Sequence, residues 1–369
     1  MAGQNKIFKC YMFLSQISIS NFKNLANKNF KLSPNINCFV GNNGVGKTNI
    51  LDAIYYLSCC KSYFNNIDVQ NILHGEDFFS IEGKYKNSED TDIILCGFQR
   101  GNKKIVKRNG KKYTKLYQHI GKIPIVIISA TDRDIIEKSE MRRKFIDSII
   151  CQLDKNYIDK LVRYKKILIQ RNYLLKHFAS NNVFNRDNLE IYNDQLSDLS
   201  FEIHIRRKSF LEDFLPLFKE IYENISGCDE KVEIEYQSQL NHKTADILFS
   251  ESIGRDMETQ STSTGIHKDD WLFSIREFPV KKNASQGQQK SFLIALKIAE
   301  LYFLEKTRNI KPILLIDDIF DKLDQVRIER IINLIKRDNF GQIFISDTHY
   351  QRTEEIVKKI DKEYYMFEM

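Results

Sequence analysis

Two segments of this sequence carry residues suited to binding phosphate groups and a divalent metal ion. The first reads Gly41-Asn42-Asn43-Gly44-Val45-Gly46-Lys47-Thr48, which matches the phosphate-binding pattern GxxxxGK(S/T). Its glycines permit positive φ angles, so backbone N–H groups can approach an anion closely. Lys47 can reach the β- and γ-phosphates of a nucleotide, and the Thr48 hydroxyl can ligate Mg²⁺. This run, together with Asn49, is the predicted ATP-binding loop.

The second segment is the apolar run Ile313–Ile316, which ends in Asp317 and Asp318. A strand of this kind, buried in a parallel sheet, delivers carboxylates at its C-terminal end, where ligands collect. Asp317 would hold Mg²⁺ through water, and Asp318 would orient or deprotonate the attacking water. Acids often end strands, so the run predicts a Walker B strand only because the phosphate loop is also present. Lys47 and Asp318 are therefore predicted as catalytic residues.

The surrounding segments predict how these residues are positioned. Ile36–Val40 is an apolar strand directly before the loop, and Lys47–Cys59 has the pattern of the helix that must follow it. From Asp132 onward, helical spacing dominates in three segments: Asp132–Leu153, Lys155–Phe178 and roughly 189–225. Strand patterns then return at Val232–Tyr236 and Asp270–Ile275, and Gln342–Ser346 is predicted to be a buried strand.

The long separation of the two motifs predicts the domain organisation. Lys47 and Asp317 lie 270 residues apart, so a large segment is inserted between them. We predict an α/β fold in which residues 1–131 and 262–369 form a split ATPase head with a mixed sheet and flanking helices. Residues 132–261 are predicted to form an inserted, mainly helical arm domain.

A third motif lies at the start of a predicted helix. The segment Ser285-Gln286-Gly287-Gln288-Gln289 on its own is an ordinary helix N-cap. It also resembles the ABC signature motif, which in that superfamily contacts the γ-phosphate held by the opposite protomer. The resemblance implies an ABC-type head in which Ser285, Gln286, Gly287 and Gln288 complete the ATP site of a partner. Asp321–Asp324 similarly resembles the D-loop. His349 stands where the switch histidine would be, which implies a catalytic role.

Further segments resemble the RecF family of bacterial DNA replication and repair proteins over nearly the whole chain. They are Ile19–Leu25, Gly41–Asn49, Lys61–Phe64, Arg142–Asp147, Tyr164–Asn172, Gly265–Asp270 and Ser285–Gln289. The resemblance implies a cytoplasmic, ATP-dependent homodimer that binds double-stranded and gapped DNA. It implies a partnership with RecR, and functionally with RecO, in loading RecA. Slow, DNA-stimulated ATP hydrolysis would release the DNA.

A basic cluster follows the first β-rich segments. It contains no acidic residue and consists of Arg100, Lys103, Lys104, Lys107, Arg108, Lys111, Lys112, Lys115 and Lys122. The positive electrostatic potential of such a cluster attracts phosphate backbones. We take Lys103, Lys104, Lys107 and Arg108 as candidate DNA-binding residues. A solvated hairpin is the alternative, because Asn109-Gly110 between short alternating strands is a strong turn signal. The sequence leaves both readings open.

The composition excludes several classes of protein. The chain has 369 residues, a formal net charge of +7 and no apolar run long enough to cross a bilayer. Its seven cysteines lack CxxC spacing, so a disulfide framework or a zinc site is not expected. We therefore expect a cytoplasmic protein without a membrane partner. An ATPase that acts on protein partners, with DNA incidental, is the competing hypothesis from another class.

Overall fold

The computed structural model describes residues 12–87, 90–227, 230–320, 325–338, 341–361 and 363–369. The chain divides into two compact units. The first comprises Met1–Asp132, Asn224–Gly227 and Lys290–Met369. The second comprises Arg133–Glu223 and Cys228–Gln289. Within the described residues, no helix is long and apolar enough to cross a membrane.

The first unit contains an antiparallel sheet. Its strands lie in the order β2-β1-β4-β5-β6-β7. They are β1 (Phe13–Phe22), β2 (Leu25–Lys31), β4 (Phe78–Lys86), β5 (Thr91–Gln99), β6 (Ile105–Arg108) and β7 (Lys111–Lys112). Side chains on β4 alternate between buried and partly exposed positions, as expected where a sheet buries one face.

A parallel sheet is the second layer of this unit, and it carries the motifs. Its order is β14-β3-β13-β12-β8, and every neighbouring pair is parallel. The strands are β3 (Ile36–Val40), β8 (Ile125–Ser129), β12 (Ile313–Asp317), β13 (Ile343–Asp347) and β14 (Tyr364–Glu368). All residues of β3, β8, β12 and β13 are buried, which explains their continuous apolar character.

Helix α1 (Lys47–Cys59) packs with residues of both sheets in one hydrophobic core. Other helices that reach into this unit are α9 (Gln286–Arg308), α10 (Gln325–Asp338) and α11 (Tyr350–Ile360), together with the last residues, 224–226, of a long helix of the second unit. The predictions for Ile36–Val40 and Lys47–Cys59 are confirmed residue for residue. The α/β fold class is likewise confirmed.

The second unit is mainly helical, with one small antiparallel sheet in the order β11-β10-β9. Its strands are β9 (Val232–Gln237), β10 (Asp270–Ile275) and β11 (Phe278–Pro279). Its helices are α2 (Arg133–Glu137), α3 (Ser139–Leu153), α4 (Lys155–Asn181), α5 (Arg186–Ser226), α6 (Ala245–Glu251), α7 (Ile253–Thr259) and α8 (Val280–Asn283). Helix α5 ends before Gly227, whose φ of 63° is the left-handed conformation expected of a residue that stops a helix.

One helix prediction was wrong. The segment Asp132–Leu153 is not a single helix, because Lys138 adopts an extended conformation (φ −123°, ψ 124°) and separates α2 from α3. The apolar spacing continues across this break, so the periodicity could not reveal it. Residues 262–289 were assigned to the ATPase head from sequence, whereas in the structure they pack within the second unit. The role of that segment stays a prediction.

Candidate nucleotide-binding site

The phosphate loop connects β3 to α1 as the sequence requires. Gly44 and Gly46 have φ angles of 87° and 107°, which side-chain-bearing residues rarely adopt. A Cβ atom at Gly46 would lie 2.7 Å from Leu25 Cδ2 and 2.8 Å from Asn24 Oδ1. Glycine at this position is therefore required by both conformation and space. The loop, from Gly41 to Thr48, leaves Asn42, Asn43 and Gly44 exposed.

Lys47 lies across this loop. Its ammonium group donates to the carbonyl oxygens of Gly41 at 2.7 Å and Asn42 at 2.9 Å, and the residue is only 6% exposed. The charge is therefore held against the loop backbone rather than in bulk solvent. Contact of Lys47 with a phosphate bound by the loop amides stays a prediction from the motif.

Thr48 and Asp317 meet at the end of strand β12. The Thr48 hydroxyl donates to Asp317 Oδ1 at 2.8 Å, and the carboxylate is buried. Two further hydroxyls donate to it: Ser346 Oγ to Oδ1 at 2.7 Å and Ser129 Oγ to Oδ2 at 3.3 Å. A carboxylate beside a hydroxyl is the hard oxygen donor set that Mg²⁺ prefers, so these residues fit the predicted metal site.

The sequence reasoning missed Ser129 and Ser346. Both lie opposite Asp317 in the parallel register, because β8 and β13 flank β12. The available signal was their position at the ends of apolar runs, since the carboxyl ends of parallel strands meet at one edge. That signal identifies a site only when the strand order is known.

Asp318 turns away from the strand direction. Its φ of 51° is left-handed, a conformation that Asp tolerates better than most residues, and it is partly exposed. Its N–H group donates to the Ser346 carbonyl oxygen at 3.2 Å. Asp318 is the next residue after Asp317. Its predicted role, to orient or deprotonate the attacking water, stays a prediction. The proposed D-loop, Asp321–Asp324, lies outside the described residues.

His349 is exposed and precedes the first turn of α11. Its N–H group donates to Asp347 Oδ1 at 3.1 Å, and its carbonyl oxygen accepts a bond from the Thr353 hydroxyl at 2.8 Å. Asp347, at the end of β13, was not singled out from sequence. The backbone of His349 is thereby fixed at the same sheet edge as Asp317, while its imidazole is in contact with solvent.

The signature segment lies in the second unit and forms a reciprocal helix cap. Ser285 Oγ accepts from the Gln288 N–H group at 3.2 Å, and Gln288 Oε1 accepts from the Ser285 N–H group at 2.8 Å. Ser285 and Gln286 are exposed, and Gly287 is partly exposed. Amide groups in the first helical turn have no partner inside the helix, so this end of α9 can receive an anion.

The basic cluster forms the predicted hairpin, with Asn109 and Gly110 both at positive φ between β6 and β7. Two of the four candidate DNA-binding residues are tied to acids. Lys104 Nζ lies 2.9 Å from Asp68 Oδ2 and donates to the Cys60 carbonyl oxygen at 2.6 Å.

The second candidate DNA-binding residue that is tied to an acid is Arg108. It makes a bidentate pair with Asp92 and lowers the pKa of that carboxyl group. Lys103 is exposed and Lys107 partly exposed. Lys107 pairs across the hairpin with Lys112, and Arg108 pairs with Lys111. Like charges in directly opposite positions repel, so this hairpin concentrates positive charge that its own strands do not neutralise.

A buried charge cluster includes Asp132, which follows the short turn after β8. Asp132 Oδ2 accepts from the Ser129 N–H group at 2.8 Å, and Lys297 Nζ lies 3.7 Å from Oδ1. Lys297 also lies 3.6 Å from Glu300 Oε2. Burial raises the pKa of Glu300 to about 7, against the opposing effect of Lys297.

The fold and the site together define an ABC-type ATPase head. The family model "RecF/RecN/SMC N terminal domain" matches residues 13–368. A solved structure of a recombination mediator protein, RecF-ATPrS in the RecFOR pathway, matches with a TM-score of 0.86 and 29% identity. That match covers 97% of this chain and 96% of the other. The Smc head domain of Pyrococcus furiosus, at 17% identity and a TM-score of 0.53, shares the fold and covers 95% and 92% of the two chains.

Similarity to named proteins identifies the family within this class of ATPases. The DNA replication and repair protein RecF of Flavobacterium johnsoniae is 51% identical over 359 residues, which cover 97% of this chain and 100% of that protein. RecF of Phocaeicola vulgatus is 44% identical and covers 96% of both chains. This chain belongs to the RecF family of DNA replication and repair proteins.

Proposed function

We propose that this chain is an ATP-gated DNA-binding protein of recombinational repair. The observation that carries the proposal is the junction of Lys47, Thr48 and Asp317 at the end of the parallel sheet. Similar solved structures are described as RecF with ATP in the RecFOR pathway, at 31% identity in one case. That match covers 92% of this chain and 94% of the other, so ATP is the first ligand to test here.

The loop from Gly41 to Asn49 would bind the triphosphate through its amides and Lys47. Thr48 and Asp317 would hold Mg²⁺, which supplies positive charge to the phosphate oxygens when bound. Asp318 would orient or deprotonate the attacking water, and His349 would act beside it at the same sheet edge. Ser129 and Ser346 would orient the Asp317 carboxylate by donating hydrogen bonds to it.

The active form would be a homodimer that closes around two ATP molecules. Ser285, Gln286, Gly287 and Gln288 would complete the site of the partner, since the helix start they form is exposed and suited to an anion. The output of hydrolysis would be a change in the population of closed dimers rather than a metabolic product, so turnover would be slow.

Closed dimers would hold double-stranded DNA at single-strand gaps in the cytoplasm, and hydrolysis would release it. RecR, with RecO, would act with the bound dimer to load RecA. Lys103 and Lys107 are the better supported DNA contacts, because Lys103 is exposed just before β6 and Lys107 lies on the hairpin with unneutralised charge. Lys104 forms an ion pair with Asp68, and Arg108 forms one with Asp92. Their direct contribution to DNA binding would therefore be smaller.

The experiment that tests this function is a titration of gapped duplex DNA with the protein in ATP and in ADP, at several salt concentrations. We expect tighter binding in ATP and a steep fall of log K with log salt, because phosphate contacts release counterions. A flat salt dependence, with no difference between the nucleotides, would favour the protein-partner ATPase instead.

A further inference from the structure

The turn between β1 and β2 contacts the phosphate loop through one side chain. Asn24 Nδ2 donates to the Gly44 carbonyl oxygen at 2.8 Å, and Asn24 Oδ1 accepts from Asn49 Nδ2 at 2.8 Å. The same Oδ1 atom faces the Cα of Gly46, where a Cβ would lie 2.8 Å away. Asn24 therefore contacts the loop at its middle, at its last glycine and at the start of α1.

The bond to Gly44 constrains the orientation of one peptide group. In a trans peptide the C=O and N–H groups point in opposite directions. When the Gly44 carbonyl points to Asn24, the N–H group of Val45 points away from it. Glycine populates both signs of φ with little preference, so Gly44 alone would not hold this peptide in one orientation. The Asn24 amide supplies the missing constraint.

Asn24 is itself held in place by its neighbours. Lys23 Nζ forms an ion pair with Asp52 Oδ2 at 2.6 Å, and Asp52 is a fully buried residue of α1. The Lys23 N–H group donates to the Asn71 carbonyl oxygen at 2.8 Å. Leu25, on the other side, is buried against Gly46. A side chain between two anchored residues can position a ligand-binding loop before the ligand arrives.

We propose that Asn24 is a positioning residue of the nucleotide site, which orients the Gly44–Val45 peptide so that the Val45 amide faces the phosphates. This inference rests on the proposed ATP-binding function of the loop. It assigns Asn24 no contact with the nucleotide. Asn49 takes part through Asn24, since its amide group donates to the Asn24 side chain.

The test compares nucleotide affinity in three variants of the full chain, using a fluorescent ATP analogue and ADP with Mg²⁺. Asn24→Ala removes both contacts, and Asn24→Asp keeps the acceptor for Asn49 but loses the donor to Gly44. Asn49→Ala keeps the donor to Gly44. We expect Asn24→Ala to raise Kd roughly 3- to 10-fold, the worth of one hydrogen bond, and Asn24→Asp to raise it at least as much, because its carboxylate also repels the phosphates. Asn49→Ala should change Kd less than either.

Two controls separate positioning from folding and from loss of function. Asn27→Ala changes an exposed residue of β2 and should alter neither Kd nor the urea midpoint of the nucleotide-free protein. The urea midpoint of Asn24→Asp should match that of Asn27→Ala. Unchanged affinity in both Asn24 variants, while Lys47→Ala loses binding, would overturn this inference alone. Absence of ATP binding by the unaltered protein would overturn the proposed function as well.

Discussion

The Thr48 hydroxyl donates a 2.8 Å hydrogen bond to Asp317, a residue 269 positions further along the chain. Asp317 ends β12, a strand of the parallel sheet, and Thr48 lies in the first turn of the helix after the phosphate loop. The contact joins the two halves of the proposed ATP site. It depends on the order of the strands, because β3 and β12 are separated by β13 in the sheet.

Replacing Thr48 tests this junction. Thr48→Ala removes the hydroxyl that would ligate Mg²⁺, and we expect ATP hydrolysis to fall by at least about 10-fold. Thr48→Ser keeps the hydroxyl and should stay within about 3-fold of the unaltered protein by the same reasoning. Steady-state ATPase rates over a range of Mg²⁺ concentrations measure both. Equal rates in the two variants would exclude the hydroxyl from the site.

The stability of the second unit should be sensitive to the loss of Arg207. Its buried guanidinium bonds to Asp147 at 3.0 Å and to Asp269 at 2.7 Å, so its loss leaves two carboxylates without their cationic partner. We expect Arg207→Met to lower the free energy of unfolding by about 3–5 kcal/mol. Arg206→Met is the matched control: it breaks a partly exposed pair with Asp154, which should cost less than about 1 kcal/mol. Urea denaturation checks both values.

Stability should depend on His119 in mildly acidic solution. Burial lowers the pKa of this imidazole from 6.5 to about 4, although a 2.7 Å contact with the Leu57 carbonyl oxygen opposes the shift. The folded protein therefore binds fewer protons than the unfolded chain, and stability falls as pH drops from about 6.5 towards 4. The loss between pH 7 and pH 5 should be roughly 2 kcal/mol.

His119→Gln should reduce that dependence when urea midpoints are measured at both pH values, while the buried His267, whose pKa is also lowered to about 4, still contributes its share. His242→Gln changes an exposed histidine and should leave the pH dependence of stability unchanged. An identical pH dependence in all three proteins would rule out His119 as the source.

The basic hairpin gives a prediction about DNA. Lys103→Ala and Lys107→Ala should each reduce the slope of log K against log salt by about 1, with little change in stability. Lys104→Ala should lower the stability with little change in the slope, because the Lys104 ammonium group already binds Asp68 and the Cys60 carbonyl oxygen. Binding of gapped duplex in ATP, measured with thermal unfolding, distinguishes these outcomes. A full loss of slope in Lys104→Ala alone would contradict the assignment.

The sequence predicted the parts of the site that have a local pattern. Glycine spacing located the phosphate loop, and apolar runs located β3 and β12 within one residue of their ends. Ser129 and Ser346 could not be found in this way, since a lone serine near the end of a strand has no pattern of its own. They acquire a role only because β8 and β13 flank β12.

Other features depend on single side chains in tertiary contact. Asn24 was visible only as part of a family-like segment, because its bond to Gly44 depends on how the β1–β2 turn packs on the loop. The break at Lys138 was missed for a similar reason, as nothing in the apolar spacing distinguishes one helix from two. The partners of Lys104 and Arg108 likewise emerge only once β5 and α1 are packed together.

The most direct test of the account is sedimentation velocity with and without ATP. It compares the unaltered protein, Ser285→Arg, and the control Asn283→Arg, which places the same side chain just before the signature segment. We expect ATP to convert the unaltered protein and the control to dimers. Ser285→Arg should bind ATP with unchanged affinity yet remain monomeric, because a bulky cation blocks the contact with the partner's γ-phosphate. ATP-dependent dimers of Ser285→Arg, as abundant as those of the control, would contradict a nucleotide site shared between protomers.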